Sequence, residues 1–89
     1  MFNSQELSLF KSPYFTNFSY SKGIIEIQSI NTGHWWQIFK RDMPRANMIV
    51  VLHKYKSTDK YHLQCHLHTI RKAVSTIKGH DNYIYNLNC

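Results

Sequence analysis

Between residues 61 and 77 the hydrophobic period changes from two to about 3.6, and that change limits the folds open to this chain. In YHLQCHLH (61–68), Tyr61, Leu63, Cys65 and Leu67 alternate with His62, Gln64, His66 and His68, so a strand would place apolar and polar residues on opposite faces. Read as a helix, the same residues would mix around the cylinder. Downstream, Ile70, Ala73, Val74 and Ile77 fall at i, i+3, i+4 and i+7, the stripe of an amphipathic helix. Thr69 or His68 is placed to start that helix, Lys78 lies in its last turn, and Gly79 follows where a C-cap glycine would stand. The helix is therefore expected over about 70–78, or 69–79 with its caps.

Upstream of the switch the pattern is that of strands and turns. GIIEIQSI (23–30) alternates, Asn31-Thr32-Gly33 is a hairpin signal, and HWWQIFK (34–40) reads as a second strand. RDMPRAN (41–47) is expected to be a loop, since Pro44 cannot donate to a ladder. MIVVLHKY (48–55) makes a third strand, and Ser57-Thr58-Asp59 a turn before the histidine-rich fourth. The expected architecture is α+β: a four-stranded antiparallel meander followed by one C-terminal amphipathic helix, in one domain. Residues 1–22 hold Pro13 and a dense set of aromatics and are expected to be an irregular or extended entry segment whose aromatics pack on the body, with one short helical turn or strand edge in QELSLF (5–10). Residues 23–68 form the meander, 69–79 the helix and 80–89 an arm, with YIYNL (83–87) as a last strand or packing segment.

The histidines invite a test as a metal site. Zinc needs three or four N or S ligands converging on one point. On a single strand face, neighbours such as His66 and His68 are roughly 7 Å apart and His62 lies farther still, so one ion cannot collect all three. Cys65 points to the other face. His53 or His34 from neighbouring strands could add a ligand, but the expectation is a solvated or partner-facing strand, with no metal and no cofactor. Catalysis has little to work with. The five acids are scattered, His80-Asp81 is a pair and not a triad, and there is no glycine-rich phosphate loop or nucleophile signature. The chain is not expected to be an enzyme.

Binding of nucleic acid fits better. Eleven Lys/Arg against five Asp/Glu give a net charge of +6, and no block of like charges concentrates it in a tail. Single strands are held by a cationic groove with aromatic rings on which bases stack. The second strand brings Trp35, Lys40 and Arg41, the third ends in Lys54, Tyr55 and Lys56, and the fourth begins with Lys60 and His62. Adjacent tryptophans on a strand face opposite ways, so one of Trp35 and Trp36 leaves the helix-covered side. Trp35 and Tyr55 are the expected stacking platforms, with Lys40, Arg41, Lys54, Lys56 and Lys60 on phosphates and His62 beside them.

Four antiparallel strands followed by one amphipathic helix, over residues 24–78, resemble in element order the Whirly and transcriptional-coactivator class of single-strand DNA binders. That resemblance implies a sheet that grips single strands and helices that pair subunits. The evenly apolar MIVV departs from the class, whose basic strands alternate more cleanly. Small size, basic charge and heavy use of Ile, Lys, Asn and Tyr also resemble an accessory protein of a phage or mobile element from an AT-rich bacterium. The function expected is that of a non-enzymatic accessory protein binding single-stranded DNA or RNA, in the service of replication. The alternative is a protein-interaction module, docking as accessory subunit or inhibitor on a larger partner such as a polymerase or host enzyme. One helix cannot cover both faces of the sheet, which also points to a homodimer or a permanent partner. Two cysteines make no disulfide framework, no apolar run approaches ~18 residues, and the N-terminus lacks a signal sequence, so a cytoplasmic protein is expected.

Overall fold

The computed structural model describes residues 2–11, 13–42 and 47–87. A short helix, α1 (Ser4–Ser8), precedes five strands, β1 (Phe15–Ser21), β2 (Ile24–Ser29), β3 (Trp35–Asp42), β4 (Asn47–Lys54) and β5 (His62–Leu67), and a long helix, α2 (Ile70–Leu87). The strands form one antiparallel sheet in sequence order. The α+β architecture and the closing helix are as expected, but the meander has five strands and not four.

The additional strand is β1, in the segment expected to be irregular. Its inward residues do not alternate because Asn17 takes a positive φ of 53° and the register shifts between Thr16 and Ser19. This bulge separates buried Phe15 from half-buried Phe18 and Tyr20 by an uneven spacing, which hides the strand from a search for period two. A two-residue turn joins β1 to β2. Lys22 (φ 53°) and Gly23 (φ 78°) both take positive φ, the requirement of a type I′ hairpin. Gly33 (φ 76°) does similar work between β2 and β3, where its amide donates to the Ser29 carbonyl at 2.9 Å. The loop expected around Pro44 lies largely outside the described residues.

Cross-strand partners share a face, so the pairings sort the sheet into two surfaces. Ile25, Ile38, Val51 and Cys65 form one row of the covered face, and Ile27, Trp36, His53 and His62 the next. Both helices lie on this side. Phe2 and Phe10 flank α1 and enter the core, joined from α2 by Ile70, Ala73 and Ile77. Asn3 caps α1 in a reciprocal box with Glu6. Thr69 caps α2, its Oγ1 accepting from the Lys72 amide at 3.1 Å.

Two details of the strand-to-helix switch differ from expectation. The β4–β5 register slips between Val51 and Leu52, so Val51 faces Cys65 while Leu52 faces Leu63. The bulge falls at Gln64. It reverses the faces of the residues before it, turning His62 onto the covered side and Leu63 onto the open one. The strict alternation read across YHLQCHLH therefore holds only in its second half. Second, α2 does not stop at Gly79. It runs on to Leu87, and the expected 80–89 arm is helical as far as that residue. Gly79 is exposed on the helix, where a Cβ would meet no atom within 4 Å, and a missing side chain there costs only about 1 kcal/mol. The anchoring of the next turn outweighs that cost. Asp81 is fully buried and accepts hydrogen bonds from Tyr14 Oη (2.7 Å), Ser29 Oγ (2.5 Å) and Thr32 Oγ1 (3.0 Å).

Candidate functional site

Among the described residues, no helix covers the opposite face of the sheet. Its rows follow from the pairings: Ser21, Ile24, Phe39, Val50 and His66; then Ser19, Glu26, Gln37, Leu52 and Leu63; then Gln28, Trp35 and Lys54. Trp35 is half-buried here, whereas Trp36 is sealed in the core, its Nε1 donating to Ser29 Oγ at 3.0 Å. Lys54 holds its ammonium 5.7 Å from the Trp35 ring centroid and 4.4 Å from that of Tyr61, and donates to the Ser57 carbonyl at 3.1 Å. A cation resting on two rings is attracted by their negative faces. Tyr61 reaches across the sheet to donate to Glu26 Oε2 at 2.9 Å, and Gln37 Nε2 donates to the same oxygen at 3.2 Å. Burial, with the Glu26 carboxylate beside it, pushes the Tyr61 phenol well above its usual range. Tyr61 is therefore a fixed, neutral ring on this face, and one that sequence reasoning did not select.

The residues expected to form one nucleic-acid surface are divided by the fold. Trp35 and Lys54 are neighbours on the open face, and Arg41 is exposed at its edge opposite Met48. Lys40 is a correction: it lies on the covered side, 3.1 Å from Glu6 and 5.1 Å from the Phe2 ring centroid, and does not reach the open surface. Lys56 and Lys60 are exposed on the β4–β5 loop. Tyr55 and His62 belong to a different assembly. The Tyr55 ring packs edge-on to His34 and His53 at 4.8 and 5.0 Å between centroids, and His62 stands 5.2 Å from His53.

At that end of the covered face three histidines from three elements meet. His34 precedes β3, His53 is near the end of β4, and His80 comes from α2, with Trp36 against both His53 (4.3 Å) and His80 (5.3 Å). His53 Nε2 and His34 Nδ1 are 3.1 Å apart. Burial lowers the His53 pKa to about 3, reinforced by the neighbouring His80, His34 and His62. Burial also lowers that of His34, with Asp81 pulling the other way and His80 adding to the fall. At neutral pH the His34 and His53 imidazoles are uncharged. The grouping of His62, His66 and His68 considered from sequence does not form: His62 turns to the covered side, His66 to the open side, and His68 is exposed beyond β5. His34 and His53 were identifiable as outside candidates. His80 was not, because a helix ending at Gly79 would have left it in an arm.

Comparison of the chain with family models, curated proteins and solved structures gives no match. Among the described residues, no helix is long and apolar enough to cross a membrane.

Proposed function

We propose that this chain is a non-enzymatic binding protein that grips single-stranded DNA or RNA on the uncovered face of its sheet, as an accessory to replication of a mobile element. One observation carries the reading: Trp35 lies half-exposed on that face with Lys54 beside it, and Arg41, Lys56 and Lys60 stand exposed at the rim. Rings accept bases, and the surrounding cations neutralise phosphates. Two of the acids are out of the way, Asp81 buried and Glu6 paired with Lys40, whereas Glu26 on the open face and Asp59 on the β4–β5 loop oppose a polyanion there. The resemblance in element order to the Whirly and coactivator class supports the same reading, although a fifth strand now precedes the four.

Three to four phosphate contacts predict that the logarithm of affinity falls against the logarithm of salt with a slope of about −2 to −3. Affinity for a labelled oligothymidylate, followed by fluorescence anisotropy, should therefore drop about 20- to 50-fold between 50 and 200 mM salt. Trp35→Ala should weaken it by about 1–3 kcal/mol, the worth of one stacked base. Absence of binding to any single strand, or affinity indifferent to salt, ends the proposal.

A protein partner is the second reading, with the chain as accessory subunit or inhibitor of a larger enzyme or as a homodimer. Ile24 (37 % exposed) and Leu63 (54 % exposed) favour it, since both are large apolar residues on the same open face. Leu63→Lys separates the two: it leaves or strengthens oligonucleotide binding and abolishes docking of a protein on that surface. Native mass of the chain alone and with an oligonucleotide reports self-association.

A further inference from the structure

The histidine cluster has no part in the open sheet face and needs its own explanation. His53 is completely buried and His34 is 8 % exposed, while His80 is half-buried. Each can turn one ring nitrogen toward a common point, and those three atoms lie within 4.8 Å of one another. Three imidazoles in a core would ordinarily be satisfied by donors and acceptors around them. Here His53 Nδ1 and His80 Nδ1 are buried with no hydrogen-bond partner. The contact between His53 and His34 is made nitrogen to nitrogen, so one neutral ring must present a proton to the other's lone pair.

We propose that His34, His53 and His80 form a binding site for one divalent cation of the zinc class, with a fourth position left for water or for His62. The distances suit such an ion. Zinc–nitrogen bonds of about 2.0–2.1 Å in a tetrahedron place ligand atoms about 3.3–3.4 Å apart. His53 Nε2 and His34 Nδ1 already stand 3.1 Å apart, and one ring nitrogen from each of the three histidines lies within 4.8 Å of the others, so a shift of at most about 1.4 Å, within the reach of side-chain rotation, closes the set. Neutral imidazole is the form that donates a lone pair to such an ion. On binding, the proton between His53 and His34 moves to a far ring nitrogen and both rings keep their charge. The donor set selects the metal. Calcium and magnesium want oxygen ligands, and the nearest buried carboxylate, Asp81, is already held by Tyr14, Ser29 and Thr32. Imidazole suits zinc, cobalt, nickel and copper. Asp81 contributes instead by field: it acts electrostatically on His34, and its anchoring fixes the helical turn that delivers His80. Tyr55 and His62 are exposed and adjoin the cluster, giving the ion a way in from the β4–β5 loop.

The Trp36 indole packs on two of the three rings and supplies the readout. The chain has two tryptophans, so Trp35→Phe leaves Trp36 as its sole indole emitter. Chelator-stripped W35F protein titrated with Co²⁺ should lose Trp36 emission with an endpoint at one equivalent, and Zn²⁺ should displace the cobalt and restore it. Adding His80→Gln or His34→Gln should weaken binding at least about 30-fold, and His66→Gln, on the opposite face, should leave it unchanged. No saturable quenching at micromolar cobalt, or equal weakening by H66Q and H80Q, overturns the proposal. If either cluster variant fails to fold by circular dichroism, the wild-type chain decides. In a long-range ¹H–¹⁵N spectrum, stoichiometric Zn²⁺ should move the ring nitrogens of His34, His53 and His80, and movement confined to His62, His66 or His68 refutes the site.

Discussion

Replacing Asp81 with alanine tests whether α2 is held to the sheet by a buried carboxylate. The side chain accepts from three hydroxyls, on Tyr14, Ser29 and Thr32, at 2.5–3.0 Å, and the residue has no exposed surface. Hydrogen bonds to a charged group contribute about 1.5–3 kcal/mol each. Three that share one carboxylate are not additive, and its removal also relieves the cost of burying the charge. The Ser29 hydroxyl would be left buried with only the Trp36 indole N–H donating to it. Together these give a loss of about 3–5 kcal/mol, the range for breaking a buried polar network. The whole domain should have only about 4–13 kcal/mol, at ~0.05–0.15 kcal/mol per residue. With a urea m-value of about 1.5 kcal/mol/M, the midpoint of Asp81→Ala should fall by about 2–3 M, followed by tryptophan emission. Asp81→Asn should fall less, because an amide oxygen still accepts. A midpoint within about 0.5 M of wild type would refute the reasoning and with it the account of why the helix continues past Gly79.

Other outcomes follow from single contacts. Glu6 is pushed up by burial but held lower overall by the Asn3 amide and by Lys40, so its folded pKa lies below its unfolded value. Its stabilisation is then present above the unfolded pKa and lost as pH falls through the folded one. Glu6→Gln should cost under about 1 kcal/mol at pH 7, a difference that shrinks in paired thermal melts as pH falls through the folded pKa. Burial raises the Cys65 thiol pKa, so iodoacetamide mapped by mass spectrometry should label it at least about ten-fold more slowly in native protein than in urea. Gly33→Ala, at φ 76°, should lose about 1–2 kcal/mol in chemical denaturation, and an unchanged midpoint would mean the loop relaxes freely.

The amphipathic stripe of Ile70, Ala73, Val74 and Ile77 and the isoleucine alternation of β2 were legible because each depends on local periodicity, and burial of one face enforces that periodicity. That one of the two adjacent tryptophans leaves the helix-covered side followed from the same rule, although the rule did not say which. The sequence by itself therefore determined a meander closed by a helix and a chain rich in cations. Only the tertiary structure decided where the histidines meet. A bulge at Gln64 costs one ladder step and reverses His62 and Leu63, and no local pattern announces it. A glycine that ends an isolated helix is overridden when the turn beyond it buries an aspartate among three hydroxyls, and that turn carries His80 to His34 and His53. Propensities act over a few residues at about 1 kcal/mol or less. Contacts between distant segments are worth several times that, so they settle what the local signals leave open.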